Sequence, residues 1–301
     1  MKRGLTPWSW ERRVVGRRLC SDAEAAARGF VGPEAARRRA VLRETIGAFE
    51  RARPSDLYHR LAAENLERWR SESHRQESGS RIAVYQQDWG EVARALTREV
   101  GACFAVLNMA NAYMPGGGYV EGAIAQEENM FRRTDCHFRI EEKEYDSRAD
   151  RYRPEVTELL SARRGVVYLD TDEPRVCIRG PEDRSRRDLG YSWLADEQVF
   201  PFFELRAAAQ DLRDGSGFDS ADARRRIAAQ LDTLKRHGVR HAVLGAFGCG
   251  AFRNPAKEVA QLYREELAAR ATDFSLVAFA ILATGYGPDN YTPFVQALAP
   301  R

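Results

Sequence analysis

The chain has 301 residues, of which 44% are hydrophobic, 10% aromatic and 30% charged, enough apolar content for a sizeable core and too much for a chain disordered throughout. The net charge of +3 is unevenly spread: residues 1–81 hold 18 basic against 11 acidic side chains, the remainder is net −4, and the basic residues are 43 Arg to four Lys. Acidic residues interleave with these arginines across 11–77, as on solvated helix faces, so direct nucleic-acid binding is not expected.

No apolar run approaches the ~20 residues of a spanning helix, and the N-terminus has charge without an apolar signal region. A cytoplasmic protein without membrane contact is therefore expected. The five cysteines are odd in number, widely spaced and without zinc-ligand spacing, which predicts reduced thiols, buried at Cys103, Cys177 and Cys249.

From Glu34 to Trp69 apolar residues recur with helical period, interrupted at Pro54-Ser55-Asp56, a stop followed by capping residues. Residues 71–80 are polar and rich in Gly and Ser, as in a linker. Next come a strand at 81–85, a helix at 91–100 and a buried strand at 103–109. Later strand candidates are 165–169, 175–178, 199–205, 241–247 and 274–283. Between the last of these lie two helices, one capped by Ser220, the other by Asn254 with Pro255 at its first position. The expected organisation is an α/β layered domain over 81–301 behind an Arg-rich helical extension, 1–80.

Two glycine loops carry the chemical signal. The first follows the buried strand 103–109: Asn108 and Asn111, then Gly116-Gly117-Gly118, then a helix opening with Gln126-Glu127-Glu128. Glycines after a strand let backbone amides approach a phosphate, and the next helix's free N–H groups favour an anion. A mere turn, with a carboxylate pair answering the helix dipole, is the plainer alternative. Leu244 to Pro255 repeats the design around Gly245, Phe247, Gly248, Gly250, Ala251 and Phe252. Two such loops would clamp a diphosphate, and the two phenylalanines would either pack or cover a ribose or adenine face.

Together, Asn108/Asn111, the triple glycine and Gln126-Glu127-Glu128 resemble the GGG…QEE signature of microbial-type poly(ADP-ribose) glycohydrolases, and 245–252 is similar to that family's second phosphate loop. The resemblance covers roughly residues 80–301, with a weaker likeness around Arg37 to Phe49. It implies a macrodomain-like three-layer α/β/α fold with a mixed central sheet, preceded by an N-terminal helical extension. Glu128 would be the catalytic acid/base and Glu127 would position the scissile ribose. Asn111 would hold the same ribose, the two loops the diphosphate, and Gln126 would belong to the binding set. Asp88 sits like the adenine-contacting aspartate of many macrodomains, although a plain N-cap explains it equally.

The implied reaction hydrolyses ribosyl O-glycosidic bonds of poly(ADP-ribose) without metal or cofactor. Adjacent helical residues point ~100° apart, so Glu127 and Glu128 cannot flank one bond symmetrically and must differ in role. Rival readings are a hydrolase of mono-ADP-ribosyl proteins, for example at arginine, and a non-catalytic ADP-ribose reader. The partners implied are poly(ADP-ribose) or ADP-ribosylated proteins. Residues 138–165 form a charged excursion without family counterpart, and Arg132-Arg133-Thr134-Asp135 read as a charged site rim.

Overall fold

Three helices open the described part of the chain, α1 (Asp22–Ala27), α2 (Pro33–Ala52) and α3 (Leu57–Glu72); the computed structural model describes residues 16–73, 80–283 and 287–298. A single 3-10 turn, Arg53–Ser55, separates α2 from α3 where the proline removes an amide donor. Asp56 occupies the N-cap of α3 in the left-handed region without a side-chain cap bond, so the expected break is present but the expected cap is not. The proposed linker begins as the last turn of α3, and residues 74–79 lie outside the described residues.

The layered part runs β1 (Arg81–Tyr85), α4 (Trp89–Val100), β2 (Ala105–Met109) and α5 (Gln126–Arg133). The charged excursion then folds into a small hairpin, β3 (Tyr145–Asp146) with β4 (Arg151–Tyr152), and helix α6 (Pro154–Leu160). After it come β5 (Tyr168–Cys177), β6 (Phe200–Ala207), α7 (Ser220–Arg236), β7 (His241–Leu244), α8 (Ala256–Ala268), β8 (Leu276–Ala280) and α9 (Tyr291–Leu298).

Six strands form one sheet in the order β1-β8-β7-β2-β6-β5. Its pairings are parallel except β5 with β6, giving the mixed sheet expected. The two strand candidates at 165–169 and 175–178 form a single strand with a register shift between Asp170 and Arg175. Asp170 Oδ1 accepts from the amides of Asp172 and Glu173, and this local turn makes the bulge that looks in sequence like a break.

Side-chain alternation assigns the layers. Ala105 and Leu107, Ala242 and Leu244, Val277 and Phe279 face α7, α8 and α9 through Ile227, Leu231, Val259, Leu262 and Phe294. Val106, Val243, Leu276 and Ala278 face the opposite layer, which contains Trp89, Val92 and Leu96 of α4 and Met130 and Phe131 of α5. Leu42, Ile46 and Trp69 of the N-terminal helices fill that same cluster. The Phe-rich stretch 199–205 supplies core, with Phe200 and Phe202 buried.

Two caps differ from expectation. Asp219, not Ser220, caps α7, accepting from the amides of Ala221 and Asp222. Asn254 does not cap α8; its Nδ2 ties together the carbonyls of Gln210, Gly248 and Phe252. Among the described residues the five cysteines are free thiols, Cys103 partly and the others fully buried, and no helix is long and apolar enough to cross a membrane.

Candidate active site

The loops after β6, β2 and β7 leave the carboxyl ends of three adjacent strands, the crevice where open α/β sheets bind ligands. Both glycine loops therefore start from that edge. Gln126 anchors α5 to this edge: its Oε1 accepts from Met109 N at 3.0 Å and its Nε2 donates to Leu107 O at 2.9 Å. The amide extends β2 by one side-chain rung. Gln126, expected in the binding set, places both of its side-chain polar atoms on β2.

Glu127 and Glu128 begin α5 and are both buried. The Glu127 carboxylate accepts from Asn111 N (2.7 Å) through Oε2 and from Gly116 N (3.1 Å) through Oε1. Glu128 Oε1 accepts from Gly118 N at 2.9 Å, whereas its Oε2 is buried with no hydrogen-bond partner. Burial first, and the neighbouring Glu128 second, push the Glu127 carboxyl well above the ordinary carboxylate range, against the pull of the Asn111 amide. Two adjacent acids are thereby held in unlike environments.

Gly117 permits this approach. Its φ is 55°, and a Cβ there would stand 2.4 Å from Glu128 Oε1 and 3.0 Å from Glu127 Oε2. The Gly117 amide itself donates to Met114 O at 3.0 Å. All three amides of Gly116, Gly117 and Gly118 are therefore engaged within the protein, and this loop holds both carboxylates. Asn111 Oδ1 accepts from Tyr113 N and Met114 N and so shapes the same loop. The excursion braces it from outside, through Tyr152 N to Tyr113 O and Thr157 Oγ1 to Ala112 O.

The second loop is different. Among the described residues the amides of Gly248, Gly250 and Ala251 donate to no protein acceptor, and N–H groups without a partner in such a loop favour an anion. Gly248 turns with φ 75°, and a Cβ would meet Ala209 Cβ at 2.5 Å. Gly245 leads out of β7, with Ala280 O 3.4 Å from its would-be Cβ. Phe247 is buried in the core, and Phe252 is half-buried beside Gly250 and Ala251. Arg213, from the loop after β6, lies over the Phe252 ring at 5.0 Å. Nothing in its sequence context marked it among the many arginines.

Asp88 follows β1, an edge strand of the sheet, and stands at the N-cap of α4. Its Oδ1 caps α4 at Gly90 N and Glu91 N, and both its oxygens accept from Arg133 Nη1 at 2.9 Å. Asp88 thus caps α4, as the capping alternative has it, and pairs with Arg133. Arg132-Arg133-Thr134-Asp135 are no rim, since all four are buried. Asp135 accepts from Val176 N and pairs with Arg139 and His59; although burial pushes its carboxyl up, those partners hold it below the ordinary range.

Residues 34–168 match the family model of the microbial-type poly(ADP-ribose) glycohydrolase (PARG) catalytic domain. Over that stretch the chain is similar to this family. The fold agrees: poly(ADP-ribose) glycohydrolase from Thermomonospora curvata superposes with TM-score 0.59 at 25% identity, over 86% of this chain and 98% of that one. The same enzyme bound to the inhibitor ADP-HPD gives 0.58 at 26%, with the same coverage. A mutant of the Deinococcus radiodurans glycohydrolase in complex with ADP-ribose gives 0.53 at 26%, over 78% and 90%. Among curated proteins no relative matches. The PARG match begins inside α2 and contains both acids and the first glycine loop.

Proposed function

We propose that the protein is a cytoplasmic poly(ADP-ribose) glycohydrolase that hydrolyses ribosyl O-glycosidic bonds and releases ADP-ribose, with Glu128 as acid/base. One observation carries the assignment of roles: both oxygens of Glu127 are held by backbone amides, whereas Glu128 keeps one buried oxygen, Oε2, without a partner. Glu127 is then the fixed acceptor that orients the scissile ribose. Protonated Glu128 gives its proton to the leaving ribosyl oxygen as the C–O bond breaks; its carboxylate next takes a proton from water as that water's oxygen bonds to the oxocarbenium-like carbon. The acid is regenerated and one water is consumed, so the cycle needs no metal. The open amides of Gly248, Gly250 and Ala251 hold the diphosphate, and Phe252 and Asn111 border the riboses.

The test is release of ADP-ribose from poly(ADP-ribose) and from arginine-, serine- and glutamate-linked mono-ADP-ribosyl proteins, with Glu128→Gln alongside. Polymer turnover falls by about 10²–10⁴-fold in Glu128→Gln and is unchanged by EDTA. Undiminished turnover in that variant overturns the mechanism. Cleavage of a mono-linkage with the polymer untouched replaces the substrate assignment, and ADP-ribose binding without any turnover leaves a reader.

A further inference from the structure

Arg17, from the segment preceding α1, is the least expected neighbour of the site. Its side chain is 1% exposed although it belongs to the basic leader. A guanidinium has five N–H donors, and each finds an acceptor. Nε and Nη2 form a fork on Asp150 Oδ1 and Oδ2, both at 2.7 Å; Nη2 also reaches Glu121 Oε1 at 3.3 Å; Nη1 donates to Gly117 O at 2.5 Å and Pro115 O at 3.4 Å. Asp150 itself has a left-handed φ of 51° and accepts from Tyr145 Oη at 2.6 Å. An outlier of this kind persists where the surroundings over-determine it. The arginine thus clasps the leader, the first glycine loop and the charged excursion at one point.

The contact with Gly117 O has a consequence for the acid. In a trans peptide the C=O and N–H point to opposite sides, and the other end of the Gly117–Gly118 peptide is the amide that donates to Glu128 Oε1. Glycine on both sides leaves that peptide otherwise free to turn over. We propose that Arg17 is a positioning residue for the reaction, fixing the Gly117–Gly118 peptide so that its N–H, and not its carbonyl, faces Glu128. Turned over, the peptide would aim a carbonyl oxygen at the carboxylate and drive it from its place. Docking of the leader does not require this bond: Arg38 on Glu182 and Arg39 Nη1 on Glu121 O already tie it down. The inference rests on the assignment of Glu128 as acid/base.

The test uses the full chain with Arg17→Ala and Arg17→Lys beside wild type and Glu128→Gln, reading kcat and KM on poly(ADP-ribose), ADP-ribose affinity by calorimetry and the unfolding midpoint. A misdirected acid lowers kcat of Arg17→Ala by about 10–100-fold, with ADP-ribose affinity within about threefold, and added methylguanidinium restores part of the rate. Arg17→Lys keeps the charge but, with three donors for five acceptors, stays at least about tenfold below wild type; it carries the test if Arg17→Ala does not fold. A kcat within twofold of wild type in a folded variant overturns the proposal. So does a parallel fall of kcat, affinity and midpoint without rescue, which marks a purely structural strap. Wild-type inactivity or an active Glu128→Gln would instead overturn the underlying mechanism, so the two failures are distinguishable.

Discussion

At Gly117 one hydrogen atom separates a working constellation from a collision. Alanine there must adopt a left-handed φ and place Cβ against both acids, so Gly117→Ala is expected to lose about 10²-fold in kcat and about 1–2 kcal/mol of stability, checked by polymer hydrolysis and urea melts. His137 is the second sensitive residue. Its Nδ1 meets Tyr119 Oη at 2.8 Å, and burial first, then Arg17, pushes its pKa down to about 4. The unfolded chain takes up that proton near pH 6.5, the folded chain only near 4, so this contribution is complete above about pH 6.5 and is lost as pH falls toward 4. It is at most about 3 kcal/mol. In His137→Gln the unfolding midpoint should depend less on pH across that window; an unchanged slope contradicts the assignment. Residue types in the site were legible because Gly116-Gly117-Gly118 and Gln126-Glu127-Glu128 are contiguous. Their tasks were not, because a side chain such as Gln126 or Asp88 offers the same polar atoms to a ligand or to a backbone, and only the fold brings the backbone within 3 Å.

At the scale of elements, α5 is placed by its first residue rather than by packing alone. Gln126→Met removes both bonds to β2 and leaves Met109 N and Leu107 O without them. An expected loss of about 2 kcal/mol should accompany a drop in kcat, since the acids shift with the helix start; urea melts and turnover numbers check the pair. Strand positions were readable in advance: 81–85 matches β1 throughout, and the buried run 103–109 contains β2. Ends and caps were less so. Asp219 and Ser220 are both good capping residues, and the choice between them depends on where the chain from β6 delivers the helix. The bulge in β5 reads as two strands because hydrogen bonds to Asp170 replace rungs that no local pattern reveals.

For the whole molecule, the leader is part of the fold. Leu42, Ile46 and Trp69 share one apolar cluster with Trp89, Met130 and Val106, so deleting residues 1–80 exposes the layer beneath the acids. The truncated chain is expected to lose cooperative unfolding and near-UV dichroism; a folded, active 81–301 fragment would contradict this. The arginine excess has a related cause. Several arginines are interior groups, such as Arg133 on Asp88, Arg175 on Glu204 and Arg38 on Glu182, where a planar, multiply bonding cation suits burial better than lysine.

The sequence by itself determined the layered α/β class, the family signature and the pair of acids, because strand alternation and glycine-rich turns are short-range patterns. Tertiary structure alone decided that the first glycine loop holds acids while the second presents amides, that Arg132 to Asp135 lie inside, and that Arg17 reaches the site across 100 residues of chain. The physical reason is that burial and hydrogen-bond partnership belong to pairs of segments, and a charged side chain carries no local mark of the distant carbonyl or carboxylate it will meet.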